Sequence, residues 1–170
     1  MSNPMVLLET TSGDILLELF PEQCPATVEN FLAYVDEGFY EGTIFHRVIR
    51  DFMIQGGGLT MRLEEKPVTR DAIRNEAGSG LKNTRGTISM ARTMDPHSAT
   101  CQFFINTEDN PSLDHSDESV SGYGYCAFGQ VVEGMDVVDA IRKVKTASSG
   151  YHDDVPKDSV LITGAGRFDV

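Results

Sequence analysis

The stretch that most restricts what this chain can fold into is residues 45–58, FHRVIRDFMIQGGG. It reads as two short strands joined by a turn. Residues 45–49 are largely aromatic and β-branched, as are Phe52 and Ile54, and Arg50-Asp51 forms the polar break. The three glycines then let the backbone leave the strand without a Cβ clash. Alternate side chains of a strand share a face. Phe45, Arg47 and Ile49 are therefore expected on one side, and His46 and Val48 on the other, where His46 points away from Arg47 and reads as structural. Arginine is seldom buried without a partner. Arg47 either faces a cleft or is half of a buried ion pair. In the cleft reading Arg47, Phe52, Met53 and Gln55 surround one concavity.

The rest of the chain supplies many short strands and two helices. Strands are expected over residues 5–9 and 14–20, with a Gly-containing turn between them that makes a hairpin. Pro25 suits a first helical position. Val28, Phe31, Leu32 and Val35 then fall at i, i+3, i+4 and i+7, the stripe of a helix packed on its own core, and Gly38 stops it. Residues 59–83 read as a long surface excursion, turn-rich at 64–67 and 75–80. Strands are expected at 86–92, 102–106, 127–132 and 160–163. A second helix from Met135 runs to about Lys143. Residues 93–99, 109–125 and 148–150 read as loops. Long ordered loops in a compact domain are more often functional than not. The pattern suggests a closed or nearly closed antiparallel barrel.

Composition narrows the function. The chain has 170 residues, which fits one domain spanning 1–170, and 40% hydrophobic with 24% charged residues is an ordinary globular balance. A net charge of −12 argues against nucleic acid and against an anionic membrane surface as partners. The three cysteines, Cys24, Cys101 and Cys126, are an odd number without metal spacing, which points to a reducing compartment, with Cys101 and Cys126 as small strand fillers. The first residues show neither a basic region nor a long apolar run, so the expected location is cytoplasmic.

The usual catalytic signatures are missing. No G-x-S-x-G elbow occurs, and none of His46, His97, His115 and His152 stands four residues from another. Gly56-Gly57-Gly58 lacks both the lysine and the helix of a phosphate loop. No metal and no cofactor is expected.

Three blocks together resemble one family. FHRVIRDFMIQGG at 45–57, GTISMAR at 86–92 with SATCQFFIN at 98–106, and AFGQVVEGMDVV at 127–138 are similar in order and spacing to the cyclophilins, the barrel-type peptidyl-prolyl cis-trans isomerases. The similarity runs from about residue 5 to residue 170, and the insertion at 118–125 resembles the bacterial cytoplasmic branch. The resemblance implies a mainly β fold: a closed antiparallel barrel of about eight strands with two capping helices. It implies that Arg47 is the catalytic donor to the prolyl nitrogen. It also implies a proline pocket of Phe52, Met53, Phe104 and Leu113, residues that read as core on pattern alone. Gln55 would hydrogen-bond the substrate backbone and brace Arg47. Ala91 and Arg92 would present an edge to the peptide, and Thr93 and Gln102 would flank a neighbouring subsite. Tyr125 stands where many relatives place histidine. Ser112 stands where cyclosporin-sensitive relatives place tryptophan, which implies weak cyclosporin binding. The implied partners are proline-containing polypeptides and unfolded or flexible segments, met by a monomer. Two functions fit: an isomerase acting in protein folding, or a peptide-binding holdase module of the same fold with negligible turnover.

Overall fold

The computed structural model describes residues 2–79 and 81–169. Residues 1 and 170, the limits of the expected domain, and residue 80, the end of the turn-rich stretch 75–80, lie outside the described residues. Among the described residues the elements are β1 (Met5–Thr10), β2 (Gly13–Leu19), α1 (Pro25–Asp36), β3 (Arg47–Ile49), β4 (Met53–Gly56), β5 (Thr87–Met90), β6 (Phe103–Asn106), β7 (Ala127–Glu133), α2 (Met135–Arg142), β8 (Thr146–Ser149), β9 (His152–Pro156) and β10 (Ile162–Arg167), with a 3-10 turn at Pro111–Leu113.

Eight strands form one antiparallel sheet in the order β10-β1-β2-β7-β5-β6-β4-β3, and β8 and β9 form a separate hairpin. Register shifts at Glu9/Thr10, Leu16/Leu17 and Ile88/Ser89 add local twist, as bulges do. The sheet curls until its two ends approach. Among the described residues the edge strands β3 and β10 form no ladder with each other. The chain just before β3 bridges the gap: Ile162 N donates to Thr43 O (2.7 Å) and Phe45 N to Val160 O (3.0 Å). The expected closed barrel is thus a strongly curled, partly closed one. Residues 43–45 are taken up by this bridge and by the bond from Ile44 N to Leu59 O (2.9 Å), so β3 starts only at Arg47.

The early bridge also breaks the expected alternation. Phe45 is fully buried and its ring meets that of Phe103 edge-on at 6.0 Å, whereas Arg47 is exposed. The two do not share a face, because the chain leaves strand geometry between them. From Arg47 onward the alternation holds. Val48, Ile54, Ile105 and Ile88 stand opposite one another across β3, β4, β6 and β5 and form a continuous inward row, none more than 2% exposed.

The helices close the interior. The stripe Val28, Phe31, Leu32 and Val35 is buried as expected. Phe31 packs on Tyr40, Phe103 and Phe128 at ring distances of 5.4, 5.7 and 5.2 Å, so the stripe is a core face. Gly38, at φ +74°, ends α1 in the left-handed conformation that glycine adopts without strain. At the other end Glu76 caps the helix: its carboxylate accepts from Thr27 N (2.7 Å), Thr27 Oγ1 (2.7 Å) and Ala26 N (3.3 Å). That cap ties the irregular excursion 59–83 to the barrel. Helix α2 touches β2, β3 and β4, strands far apart in the sheet order, as a plug across a curled sheet must.

Two stretches toward the C-terminus differ most from the expectation. Residues 146–156 form the hairpin β8–β9, where the expectation is a loop at 148–150 and no strand, because its polar, mostly exposed residues carry no apolar alternation. The last strand begins at Ile162, because Val160 and Leu161 serve the bridge instead.

Candidate active site

Each strand of the inward row carries an outward neighbour. Arg47 stands opposite Gln55, and Gln55 opposite Phe104. Directly opposed residues share a sheet face. One guanidinium, one carboxamide and one phenyl ring therefore line up across β3, β4 and β6, with Met53 two residues before Gln55 on the same face. Phe104 and Met53 are buried, at 4% and 2% exposed, yet neither belongs to the central core cluster. They are buried on the other side of the sheet, which answers the core reading of these positions.

Above this row lies a cleft of about 320 Å³, walled by Arg47, Phe52, Met53, Gln55, Ala91, Arg92, Phe104, Leu113 and Tyr125. A second cavity of about 160 Å³ adjoins it through Gln55, Ala91 and Arg92 and is completed by Thr93, Ser98, Thr100 and Gln102. Every expected site residue lines one of these two spaces. A larger open depression, about 820 Å³, lies beside the chain ends, and two of its charged groups are already engaged: Asn3 donates to Glu18 (3.0 Å) and Arg167 pairs with Asp36 (2.8 Å).

Arg47 is exposed, and no ion pair holds it among the described residues. The ion-pair alternative is thereby removed. Gln55 does not brace Arg47 as the resemblance implies. Its Nε2 donates instead to Gln102 Oε1 at 3.0 Å. Gln102 reaches this position because residue 58 has no side chain: a Cβ on Gly58 would lie 2.4 Å from Gln102 Cγ. The arrangement leaves Gln55 a free carbonyl oxygen and one N–H for a ligand, and Arg47 its full set of donors.

Arg92 is fixed. Its Nε donates to Gly124 O (3.0 Å), its Nη1 to Thr93 O (2.9 Å), and its guanidinium lies 4.5 Å from the Tyr125 ring centre. The Tyr125 ring in turn meets Phe104 edge-on at 5.6 Å. Tyr125 thus supplies wall area where many relatives have histidine. Ser112 is exposed and lines a groove of about 460 Å³ beyond Tyr125 and Arg92.

The cleft's loops are held by a buried residue that sequence reasoning missed. Asn83 Nδ2 donates to Leu113 O (3.2 Å), to Tyr125 O (3.1 Å) and to Asp114 Oδ1 (3.2 Å), and its backbone N to Asp114 Oδ1 (2.6 Å). Its Oδ1 accepts from Ser89 Oγ (2.5 Å) and Asn106 Nδ2 (3.1 Å). One carboxamide thereby ties two cleft walls to β5 and β6. An asparagine at the end of the surface excursion 59–83 reads as an ordinary loop residue, so no local signal marks it. Ser98 and Thr100 were missed for the same reason: they are small polar residues in a loop.

His46 lies on the other side, as expected. It is 6% exposed, its Nδ1 has no partner, and its ring stands 6.0 Å from that of His152. Burial, then the charges of His152 and Arg47, lower its pKa to about 4, so the imidazole is neutral at physiological pH. Among the described residues no three His, Cys, Asp or Glu side chains converge as metal ligands would, and no helix is long and apolar enough to cross a membrane.

A curled antiparallel sheet whose outer cleft combines aromatic and aliphatic walls with Gln55 and with Arg47, unpaired among the described residues, is the architecture of a cyclophilin. Residues 5–167 match the family described as cyclophilin type peptidyl-prolyl cis-trans isomerase/CLD. The chain is 58% identical over 158 residues to peptidyl-prolyl cis-trans isomerase B of Escherichia coli (strain K12), covering 93% of this chain and 96% of that protein. It is 58% identical over 160 residues to peptidyl-prolyl cis-trans isomerase cyp18 of Streptomyces antibioticus, covering 94% and 96%. A crystal structure of a cyclophilin type peptidyl-prolyl cis-trans isomerase of Cryptosporidium parvum, in the presence of the dipeptide Ala-Pro, superposes with a TM-score of 0.77 at 28% identity, covering 98% of this chain and 99% of that one. The chain belongs to the cyclophilin-type peptidyl-prolyl cis-trans isomerases, and is an enzyme of the isomerase class.

Proposed function

We propose that the 320 Å³ cleft binds a proline of a polypeptide substrate and that Arg47 lowers the barrier to rotation about the preceding peptide bond. The carrying observation is the outward row: an exposed Arg47, unpaired among the described residues, directly opposite Gln55, which is itself opposite Phe104.

The chemistry fits these parts. Rotation about an amide is opposed by about 18–20 kcal/mol of lost resonance. At 20 kcal/mol the rate is roughly 0.01 per second, and reaching about 1,000 per second requires removing roughly 7 kcal/mol. No covalent bond breaks, so neither nucleophile nor redox group is called for. In the twisted state the prolyl nitrogen regains a lone pair, which Arg47 meets with a charge-assisted hydrogen bond of about 1.5–3 kcal/mol. The remainder comes from three sources: Phe52, Met53, Phe104 and Leu113 hold the ring, Gln55 fixes the flanking backbone, and the twisting amide leaves water. Ala91 and Arg92 offer backbone to the peptide, while Thr93 and Gln102 sit at the adjoining cavity. Tyr125 closes the wall.

The substrates on this reading are proline-containing segments of unfolded or flexible chains. That another family member was crystallised in the presence of Ala-Pro supports this. A free cation in the cleft supports turnover over a holdase role, since mere binding of a proline ring has no use for it. The same reading makes the chain a single-domain, monomeric, cytoplasmic enzyme, supported by its acidity and three free cysteines, with weak affinity for cyclosporin at the Ser112 rim. A protease-coupled assay on an X-Pro peptide tests the function. The expected result is catalysed isomerisation well above the uncatalysed time of tens to hundreds of seconds. Peptide binding without acceleration leaves only the holdase.

A further inference from the structure

Two cysteines that take no part in the cleft touch each other behind it. Cys24 immediately precedes α1 and Cys126 immediately precedes β7, yet their sulfurs lie 3.3 Å apart. They are 0% and 3% exposed, and both are free thiols. A disulfide is about 2.05 Å long, so little more than an ångström separates this contact from a covalent bond.

The surroundings favour reaction at Cys126. The hydrogen bond between the two thiols holds its pKa below the ordinary thiol range, with burial opposing, while the same bond and burial push Cys24 up. Cys126 also meets Thr27 Oγ1 at 3.6 Å. It lines a narrow crevice of about 10 Å³ beside Asn75 and Arg92, room for about one water. Arg92 borders the proline cleft as well, so the crevice and the cleft share a wall.

We propose that Cys24 and Cys126 form an intramolecular disulfide on oxidation by hydrogen peroxide, and that this bond lowers isomerase turnover. The Cys126 thiolate attacks one peroxide oxygen, the O–O bond breaks, and the departing hydroxide is protonated to water. Cys126 is then a sulfenic acid. The Cys24 sulfur attacks the Cys126 sulfur, the S–O bond breaks, and the hydroxyl leaves as a second water with the proton of Cys24. The two thiols give up two electrons, and the peroxide takes both.

The bond reaches the cleft by a short path. Tyr125 precedes Cys126, and Met90 N donates to Cys126 O at 3.2 Å, with Ala91 next in the chain. Drawing Cys126 toward Cys24 therefore shifts two cleft walls, Tyr125 and Ala91, and displacements on the ångström scale are costly to a pre-organised site. The inhibitory half of the proposal rests on the isomerase reading; the disulfide half does not.

The experiment treats the purified full chain with a several-fold excess of hydrogen peroxide, alkylates the remaining thiols and maps peptides without reductant. The expected map shows Cys24 joined to Cys126, two hydrogens lighter, with Cys101 alkylated. Turnover on an X-Pro peptide is expected to fall about threefold or more and to return with dithiothreitol. Cys24→Ala is expected to keep its turnover before and after peroxide. Three alkylated cysteines after treatment, or a link through Cys101 or between chains, overturns the disulfide. A Cys24–Cys126 link with unchanged turnover, or equal inhibition of Cys24→Ala, overturns the inhibitory role. A chain inactive before treatment refutes the isomerase reading separately, and the peptide map still decides the disulfide.

Discussion

The inner and outer faces of β3, β4 and β6 differ by one residue in register and by everything in chemistry. Inward, Val48, Ile54 and Ile105 form an unbroken apolar row. Outward, their immediate chain neighbours Arg47, Gln55 and Phe104 form a row of cation, amide and ring. The same backbone ladder positions both. The inner row serves stability and, on the reading proposed above, the outer row serves the substrate, and the strand period of two keeps the roles apart. His46 and Arg47 condense the contrast into one dipeptide. Burial keeps the imidazole neutral, and exposure leaves the guanidinium's donors open to a ligand.

The sharpest way to break this contrast is to damage the inner row alone. Ile54 is fully buried in the core. Ile54→Ala should cost about 2–5 kcal/mol of stability in urea unfolding. The molecules that remain folded should keep most of their turnover. Loss of turnover in a fully folded variant would mean that the two faces are not separate.

The second effect is a pH dependence from His46. Its folded pKa, about 4, lies below the ordinary 6.5. Between those values the unfolded chain binds more protons than the folded one, so stability falls as pH falls from about 6.5 to about 4 and levels off below. The shift corresponds to roughly 3 kcal/mol. Urea titrations of the parent chain and His46→Leu, compared across that window, should diverge by this much. Parallel curves would remove the buried neutral imidazole from the account.

Asn83 tests whether the outer face is held from behind. Asn83→Ala leaves Leu113 O, Tyr125 O and Asp114 without a shared donor. The expected cost is about 1–3 kcal/mol of stability, with KM raised more than kcat is lowered, because the wall loosens while Arg47 stays in place. An unchanged KM would make the network purely structural.

The smallest expected effect on turnover lies at the cleft rim. Ser112→Trp adds aromatic area beside the groove of Arg92 and Tyr125. Half of a buried 150–250 Å² ring at about 25 cal/mol per Å² is worth about 2–3 kcal/mol. Cyclosporin affinity should therefore rise tenfold or more, about 1.4 kcal/mol per factor of ten, with little change on a short X-Pro peptide. A titration showing no gain would refute this account of the contact.

Much of the contrast was legible in the sequence, and what was not has physical causes. The helix stripes, the first hairpin and the strands around residues 45–58 announced themselves by apolar period and glycine. Every expected site residue lies on the two adjoining cavities: Arg47, Met53, Gln55 and Phe104 sit on ladders of fixed register, and Phe52, Ala91, Arg92, Thr93, Gln102, Leu113 and Tyr125 stand in the turns and loops beside them. The partial closure was not readable: Thr43 and Ile44 look like strand residues, and only the tertiary bond to Ile162 shows that they serve the seam instead. The β8–β9 hairpin has no apolar face to betray it. The Gln55–Gln102 bond and the Asn83 network join residues far apart in the chain, and no local pattern encodes such partners.

The central claim is that Arg47 acts on the twisted state and not on the resting peptide. Steady-state kinetics of Arg47→Ala on an X-Pro peptide, with peptide affinity and thermal unfolding measured in parallel, tests it most directly. Loss of a charge-assisted bond of about 1.5–3 kcal/mol should lower kcat by roughly one to two orders of magnitude, with peptide affinity within about twofold and the melting temperature unmoved. Equal losses in kcat and peptide affinity, or an unchanged kcat, would contradict it.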